Sequence, residues 1–250
     1  MCLLDKTSQK VLIAGRQGKM LILNTELGEI SETVGQWAIF HEHENADLLQ
    51  HDTTSQYTHM RRSSHFICAA TTTGHVHLLN PQDLSIQKDF SAHKGSINDM
   101  DANNDFLVTC GWSPRQQYGN MLDPMAKVFD LKNLQPYAPI VFHAGAALVR
   151  MHPRMSTTAV IVSQNGQMQL VDITNPTMVT MRHMGIIDEA RLTGLDISPS
   201  GNTLVFSDSM SALLMWGHPS KTNFTDVSTA TEFADSTPSD QQIMEWNSNA

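Results

Sequence analysis

The chain has 250 residues, 40% of them apolar and only 16% charged, which is enough to bury a substantial core and excludes a disordered or coiled-coil polypeptide. A formal net charge of −9 repels phosphate and argues against tight, nonspecific nucleic-acid binding by this segment. No apolar run approaches the ~18 residues of a membrane span. The N-terminus, "MCLLDKTSQKVLIAG", lacks the basic region of a signal peptide, so the expectation is a cytosolic or nuclear protein with no membrane partner.

Helical periodicity is weak along the whole sequence. What recurs is a short β-forming run, a polar or Gly-bearing turn, and a second short run. In chain order the pairs are "VLIAG" with "LILN" (21–24), "FICAATTTG" with "HLLN" (77–80), "FLVTCG" with "KVFD" (127–130), "AVIVSQNG" with "QLVD" (169–172) and "LVFSDS" with "LMWG" (214–217). The closing residues of the second runs lie 56, 50, 42 and 45 positions apart. A unit of ~40–45 residues with four short strands is the spacing of WD-type propeller blades, and the longer intervals imply loop insertions.

The repeat predicts an all-β fold, a WD-repeat β-propeller showing about five blades of a seven-bladed ring. The ring is expected to be incomplete, with a truncated first blade and missing blades on both sides. Residues 1–217 are assigned to this partial propeller, with blades ending near 24, 80, 130, 172 and 217. Residues 218–250, rich in Ser, Thr, Asp and Asn, read as an irregular tail leading to a further, missing blade.

Within this register several residues stand out. "HKG" (93–95) and "HAG" (143–145) both precede an innermost strand, so His93 and His143 read as hydrogen-bonding ties of the blade rather than metal ligands. Asp130, Asp172 and Trp216, at the ends of second runs, read as structural blade residues. The insertion at 41–56 carries His41, His43 and His51 without a nearby cysteine, which fits a solvated loop better than a four-ligand zinc site. The insertion at 112–124 carries Trp112, Arg115 and Tyr118, side-chain types enriched at interface hot spots, and is a candidate partner contact. The alternative is a Trp112 folded against its own blade. Cys2, Cys68 and Cys110 are too scattered for a disulfide framework and read as reduced thiols.

The densest acidic stretch is "INDMDANNDFLVTCG" (97–111), with Asp99, Asp101 and Asp105. A helix–loop–helix calcium loop needs Gly at its sixth position and Glu at its twelfth; counting from Asp99 these are Asn104 and Cys110. The stretch fits strand, turn, strand instead, because Asn and Asp tolerate left-handed backbone and bond to their own turn. "FHAGAALVRMHP" (142–153) likewise reads as a loop and an innermost strand, with Arg150 lining the channel or pairing with an acid. No nucleophile elbow, zinc-protease, Cys-pair or phosphate-loop motif is present, so no catalytic constellation and no cofactor is predicted for this chain. An enzymatic propeller with an axial site would need converging acids and histidines on inner strands, which the register does not supply.

"AHKGSINDMDANNDFLVTCG", "DPMAKVFDLKNL", "FHAGAALVRMHP", "GLDISPSGNTLVFSDS" and "TEFAD" resemble the N-terminal WD-repeat region of the catalytic subunits of the fungal poly(A)-nuclease deadenylases, the poly(A)-binding-protein-dependent ribonucleases. The resemblance covers most of residues 57–235 and is looser over 1–56. It implies a larger subunit with a propeller, a segment binding a pseudokinase-containing adaptor, an inactive ubiquitin-hydrolase-like domain, and a Mg²⁺-dependent DEDD-type 3′-exonuclease. None of the exonuclease acids can be carried onto this sequence, and Asp99, Asp101 and Asp105 are not those acids. The resemblance therefore implies a scaffold in mRNA deadenylation, in the cytoplasm and P-bodies. Its partner would be the adaptor, with poly(A)-binding protein and poly(A) mRNA engaged indirectly. An independent WD-repeat adaptor of another complex is the alternative.

Overall fold

The computed structural model describes residues 2–3, 10–14, 20–25, 27–32, 57–115, 119–183 and 190–217. Both ends of the "LILN" to "LMWG" repeat are visible in how its closing residues behave. Asn24, Asn80, Asp130 and Asp172 each turn a side-chain oxygen onto the amide two or three residues ahead. The acceptors are Asn24 Oδ1 for the Leu27 amide (3.3 Å), Asn80 Oδ1 for Gln82 (3.0 Å), Asp130 Oδ1 for Lys132 and Asn133 (2.9 and 3.0 Å), and Asp172 Oδ1 for Thr174 (2.9 Å). These bonds stop the strand and start the turn. In the fifth unit the place is taken by Gly217, which has no such oxygen.

The strands so delimited form five antiparallel sheets, and no helix occurs among the described residues. The first holds β1 (Cys2–Leu3), β2 (Lys10–Ala14), β3 (Met20–Asn24) and β4 (Glu29–Glu32); the second holds β5 (Tyr57–Arg62), β6 (Ile67–Thr71), β7 (His75–Leu79) and β8 (Ile86–Ser91). The third contains β9 (Ile97–Asn103), β10 (Phe106–Arg115), β11 (Gly119–Leu122), β12 (Met125–Asp130), β13 (Gln135–Pro136) and β14 (Ile140–Val141). The fourth has β15 (Leu148–Met151), β16 (Thr158–Val162), β17 (Gln167–Asp172) and β18 (Asn175–His183), and the fifth β19 (Leu192–Ile197), β20 (Thr203–Asp208) and β21 (Leu213–Gly217). Strands pair in sequence order in four of the sheets; in the third the meander is β9-β10-β12-β13, with β11 paired to the extension of β10 and β14 to the start of β12, so every sheet contains the meander of a propeller blade. The first sheet has all four strands, its inner one only two residues long, so the shortage expected at the start of the chain takes the form of a stub.

Four apolar clusters fill the four seams between successive sheets, which makes the assembly a β-propeller. Leu12 and Met20 meet Met60, Ile67, Ala69 and Leu79 in the first seam. Cys68, Ala70, Val76 and Leu78 meet Met100, Leu107, Phe129 and Leu131 in the second. Val108, Cys110, Ala126 and Val128 meet Val149, Met151, Ala159 and Ile161 in the third. Val160, Val162 and Met168 meet Leu195 and Phe206 in the fourth, where Trp216 also packs. The strands are apolar on both faces because each face is a seam; burying one Val- or Leu-sized side chain there stabilises by about 1.5–3 kcal/mol.

The insertion after β10 is not an open loop. β10 runs on past the blade and pairs with β11 in a ribbon, in register from Trp112 with Leu122 to Arg115 with Gly119. The histidine-bearing insertion at 41–56 and the tail at 218–250 lie outside the described residues.

Candidate functional site

In register with the closing residue of the third strand, one inner-strand residue from each of the second to fifth blades stands at the same level of the axis, where the first blade has the uncharged Cys2. Two places before Asn80, Asp130, Asp172 and Gly217 stand Leu78, Val128, Leu170 and Met215. Their partners across the sheet are Cys68, Val108, Val160 and Val205, whose own partners are Arg61, Asp101, Arg150 and Asp196. The four therefore form a layer of alternating charge. All four line one cavity of about 360 Å³, together with Met151, Pro153, Leu195 and Ile197.

One level along β9 stands Asp99, on the same strand face as Asp101. Asp99 Oδ2 accepts hydrogen bonds from the Val149 amide (3.0 Å) and from Arg150 Nη1 (2.7 Å), both of the following blade. Asp101 Oδ2 accepts from the Met151 amide at 2.8 Å, again from the following blade, while Arg61 Nε of the preceding blade lies 3.3 Å from Asp101 Oδ1. Burial pushes the Asp101 carboxyl above its usual range, against the Met151 amide and the guanidinium groups of Arg61 and Arg150, which pull it down. The neighbouring His59 imidazole is held below its ordinary value by burial, and Arg61 and Arg150 act in the same direction. The two acids that looked like cation ligands are thus inter-blade staples, satisfied by amides and arginines. Asn104 makes the β9–β10 turn in the left-handed region (φ 45°), and no group of three His, Cys, Asp or Glu side chains among the described residues is placed to hold a metal ion.

His93 enters the third blade fully buried. Its Nε2 lies 3.0 Å from Thr109 Oγ1 on β10, and its Nδ1 lies 3.4 Å from Asp123 Oδ2 between β11 and β12; Ser113 Oγ also donates to Asp123 Oδ2 (3.1 Å). Gly111 leaves the room for this ring: a Cβ there would sit 2.5 Å from His93 Cγ. Burial depresses the His93 imidazole, and the facing Asp123 carboxylate opposes that shift. His143 is different. It is exposed, and the position equivalent to Thr109 in its blade is the buried Ile161, which has no side-chain hydroxyl to bond. The parallel expected between the two histidines stops at the sequence.

Asp130 and Asp172 occupy the strand-ending turns described above. The Asn133 amide chiefly lowers the Asp130 carboxyl, and the Thr174 hydroxyl that of Asp172. Trp216 packs half-buried in the fourth seam. Trp112, at the base of the ribbon, is half-buried and donates its indole N–H to Asn98 Oδ1 (3.2 Å), so it lies against its own blade. Arg115 ends β10 at the ribbon's far end, and Tyr118 lies outside the described residues. Sequence reasoning missed Arg61, and missed the staple roles of Asp99 and Asp101.

The family described as PAN2 N-terminal matches residues 42–217, the span that holds four of the five blades. The chain is 46% identical over 231 residues to the PAN2-PAN3 deadenylation complex catalytic subunit PAN2 of Phaeosphaeria nodorum, covering 92% of this chain and 19% of that protein. It is 42% identical over 240 residues to the subunit of the same name from Coccidioides immitis, covering 96% of this chain and 18% of that one. It therefore spans about a fifth of the length of these relatives. Among solved structures, the Neurospora crassa Pan2 WD40 domain superposes with a TM-score of 0.74 at 36% identity, over 87% of this chain and 62% of that domain. By sequence and by blade architecture alike, the chain belongs to the PAN2 N-terminal family.

Proposed function

We propose that this chain is a non-catalytic scaffold and protein-interaction platform of a cytoplasmic mRNA deadenylase that shortens poly(A) tails, acting in the cytoplasm and P-bodies. The observation that carries the reading is the family match running through the blades of a propeller in which Asp99 and Asp101 of β9 are already bonded to neighbouring blades. Asp99 and Asp101 bind amides and guanidinium groups, and among the described residues no group of three His, Cys, Asp or Glu side chains is placed to hold a cation. Poly(A) hydrolysis would then belong to the four-fifths of the relatives' length that this chain does not span.

The partner would be the second subunit that the relatives' name gives, PAN3, in the role of a pseudokinase-containing adaptor; poly(A)-binding protein and poly(A) mRNA would be engaged indirectly. The β10–β11 ribbon, with Trp112 at its base and Arg115 near its tip, is the candidate contact, along with Tyr118 of the same insertion in the sequence. Co-expression of the chain with the Phaeosphaeria nodorum PAN3 subunit tests this. The expected result is co-purification, weakened by replacing residues 114–120 with a short Gly-Ser turn, and no release of adenylate from poly(A) RNA by the chain alone with Mg²⁺. Absence of the complex, or nuclease activity of the isolated chain, overturns the reading.

A further inference from the structure

Sheets stacked by their faces round an axis leave their outer strands on the circumference, as exposed edges. In the first three blades these edges are short or charged: β4 carries Glu29 and Glu32, β8 carries Lys88 and Asp89, and β13 has two residues. β18 of the fourth blade differs. It runs for nine residues with β17 as its one partner among the described residues, and Arg182 is its one Asp, Glu, Lys or Arg. About half of its backbone N–H and C=O groups therefore point outwards, unpaired by any described strand. Its flanks are apolar. Val179 and Met181, in row with Val171 and Gln169 on the third-seam side, are 38% and 52% exposed, and β13, the outer strand across that seam, is only a stub. On the other side Leu170, in row with Thr180, is 38% exposed, and Arg182 is exposed with no ion pair among the described residues. Described blades pack on both faces of the fourth, so these exposures belong to the rim of the propeller and not to an open end.

We infer that the edge of β18 is a docking site for an extended, acidic segment of a partner polypeptide, which adds a strand to the outside of the fourth blade. The open backbone ladder selects the conformation, because a strand alone matches its alternating donors and acceptors. The two flanks select the side chains, which alternate between the faces of the added strand. Aliphatic residues on one face cover Val179 and Met181, and an Asp or Glu on the other meets Arg182. The sign of that charge follows from the blade itself. Between residues 148 and 183 the one acid is Asp172, and its Oδ1 is turned onto the Thr174 amide and hydroxyl, so the carboxylate for Arg182 comes from outside the blade. A second copy of the chain fits poorly. Copies of net charge −9 repel each other, and a symmetric pair of β18 strands holds no acid for either Arg182. The site lies apart from the β10–β11 ribbon and stands whether or not that ribbon binds PAN3.

The probe is a blocked peptide of about nine residues that alternates Val with Thr and Glu, long enough to span β18. Amide hydrogen exchange of residues 177–183 is followed in the full 250-residue chain with and without it. At about ten times its dissociation constant the peptide should slow the exchanging amides by roughly tenfold, and the same peptide methylated on its backbone nitrogens should have no effect. A second peptide with Lys in place of Glu measures the charge selection. The ratio of the two affinities should shift towards the Lys peptide by roughly fivefold in Arg182→Glu. It should not move in Arg154→Glu, a reversal at another exposed arginine of the same blade. No slowing by the Glu peptide, equal slowing by the methylated one, or a ratio indifferent to Arg182→Glu overturns the inference. Protection of 177–183 in the free chain overturns it too: independent of protein concentration it assigns the edge to another segment of this chain, and rising with concentration to a second copy.

Discussion

The third and fourth blades enter with nearly the same words, "HKG" and "HAG", and are held together by different forces. In the third blade the entering histidine is buried against Thr109 and Asp123, Gly111 clears its path, and the inner strand carries two acids that reach across to the next blade. In the fourth the histidine faces solvent, the second strand reads Thr-Ala-Val-Ile-Val, and the residue at the Asp99 level is Leu148. One blade is tied by polar networks and the other by aliphatic packing. A repeated motif therefore fixes where a residue stands, and its partner one strand away decides whether it bonds.

The comparison breaks most visibly if the third blade is given the fourth blade's inner strand. Asp99→Leu removes the acceptor of the Met100 and Val149 amides and of Arg150, a mostly buried guanidinium that would keep the Val149 carbonyl but lose its carboxylate partner. Losing one member of such a pair costs about 3–5 kcal/mol. Chemical denaturation of the purified chain should show a loss of that order with little change in the steepness of the transition. A loss below about 1 kcal/mol would mean that solvent screens the pair as it does a surface ion pair.

This staple also marks how far the sequence could be read. The strand-ending Asn24, Asn80, Asp130 and Asp172 were legible because their bonds span two or three residues, so composition and position carry the whole signal. The turn role of Asn104 was legible for the same reason. Asp99 to Arg150 spans 51 residues and joins two blades. Which face of β9 meets which face of β15 depends on a register bulge at Cys110–Gly111 and on seam packing, neither of which a single repeat displays. The ribbon at 112–122 lay between the two cases. Its length was visible as an insertion, but its pairing needed Trp112 to face Leu122 across β10 and β11.

A smaller effect separates the two histidines. His93→Ala leaves the Thr109 hydroxyl and one side of Asp123 without a partner and opens a void beside Gly111, a loss of about 2–3 kcal/mol. His143→Ala, at an exposed site with Ile161 in the place of Thr109, should stay within about 0.5 kcal/mol of the parent. Both are measured by the same denaturation series. Equal losses would erase the distinction between the blades, and a larger loss at His143 would reverse it.

The smallest effect is a pH dependence confined to the polar blade. Burial lowers the folded His93 pKa below the ordinary value of about 6.5; Lys127 adds to that, while Asp123 and the Thr109 carbonyl work against it. The unfolded chain therefore binds a proton that the folded chain refuses. The contribution of His93 is full above about pH 6.5 and is lost as pH falls from there towards the folded value. His59, also depressed by burial, slopes the same way, so the parent's slope is not attributable to His93 alone. Asp101, raised by burial, slopes in the opposite sense, favouring the folded state as it becomes protonated. The difference between the parent and His93→Ala removes both backgrounds. Unfolding free energies measured between about pH 7.5 and 5.5 should fall less in His93→Ala than in the parent. Parallel curves would mean that the His93 ring gains its proton without leaving the slot between Thr109 and Asp123, and that the polar tie of the third blade holds in both charge states.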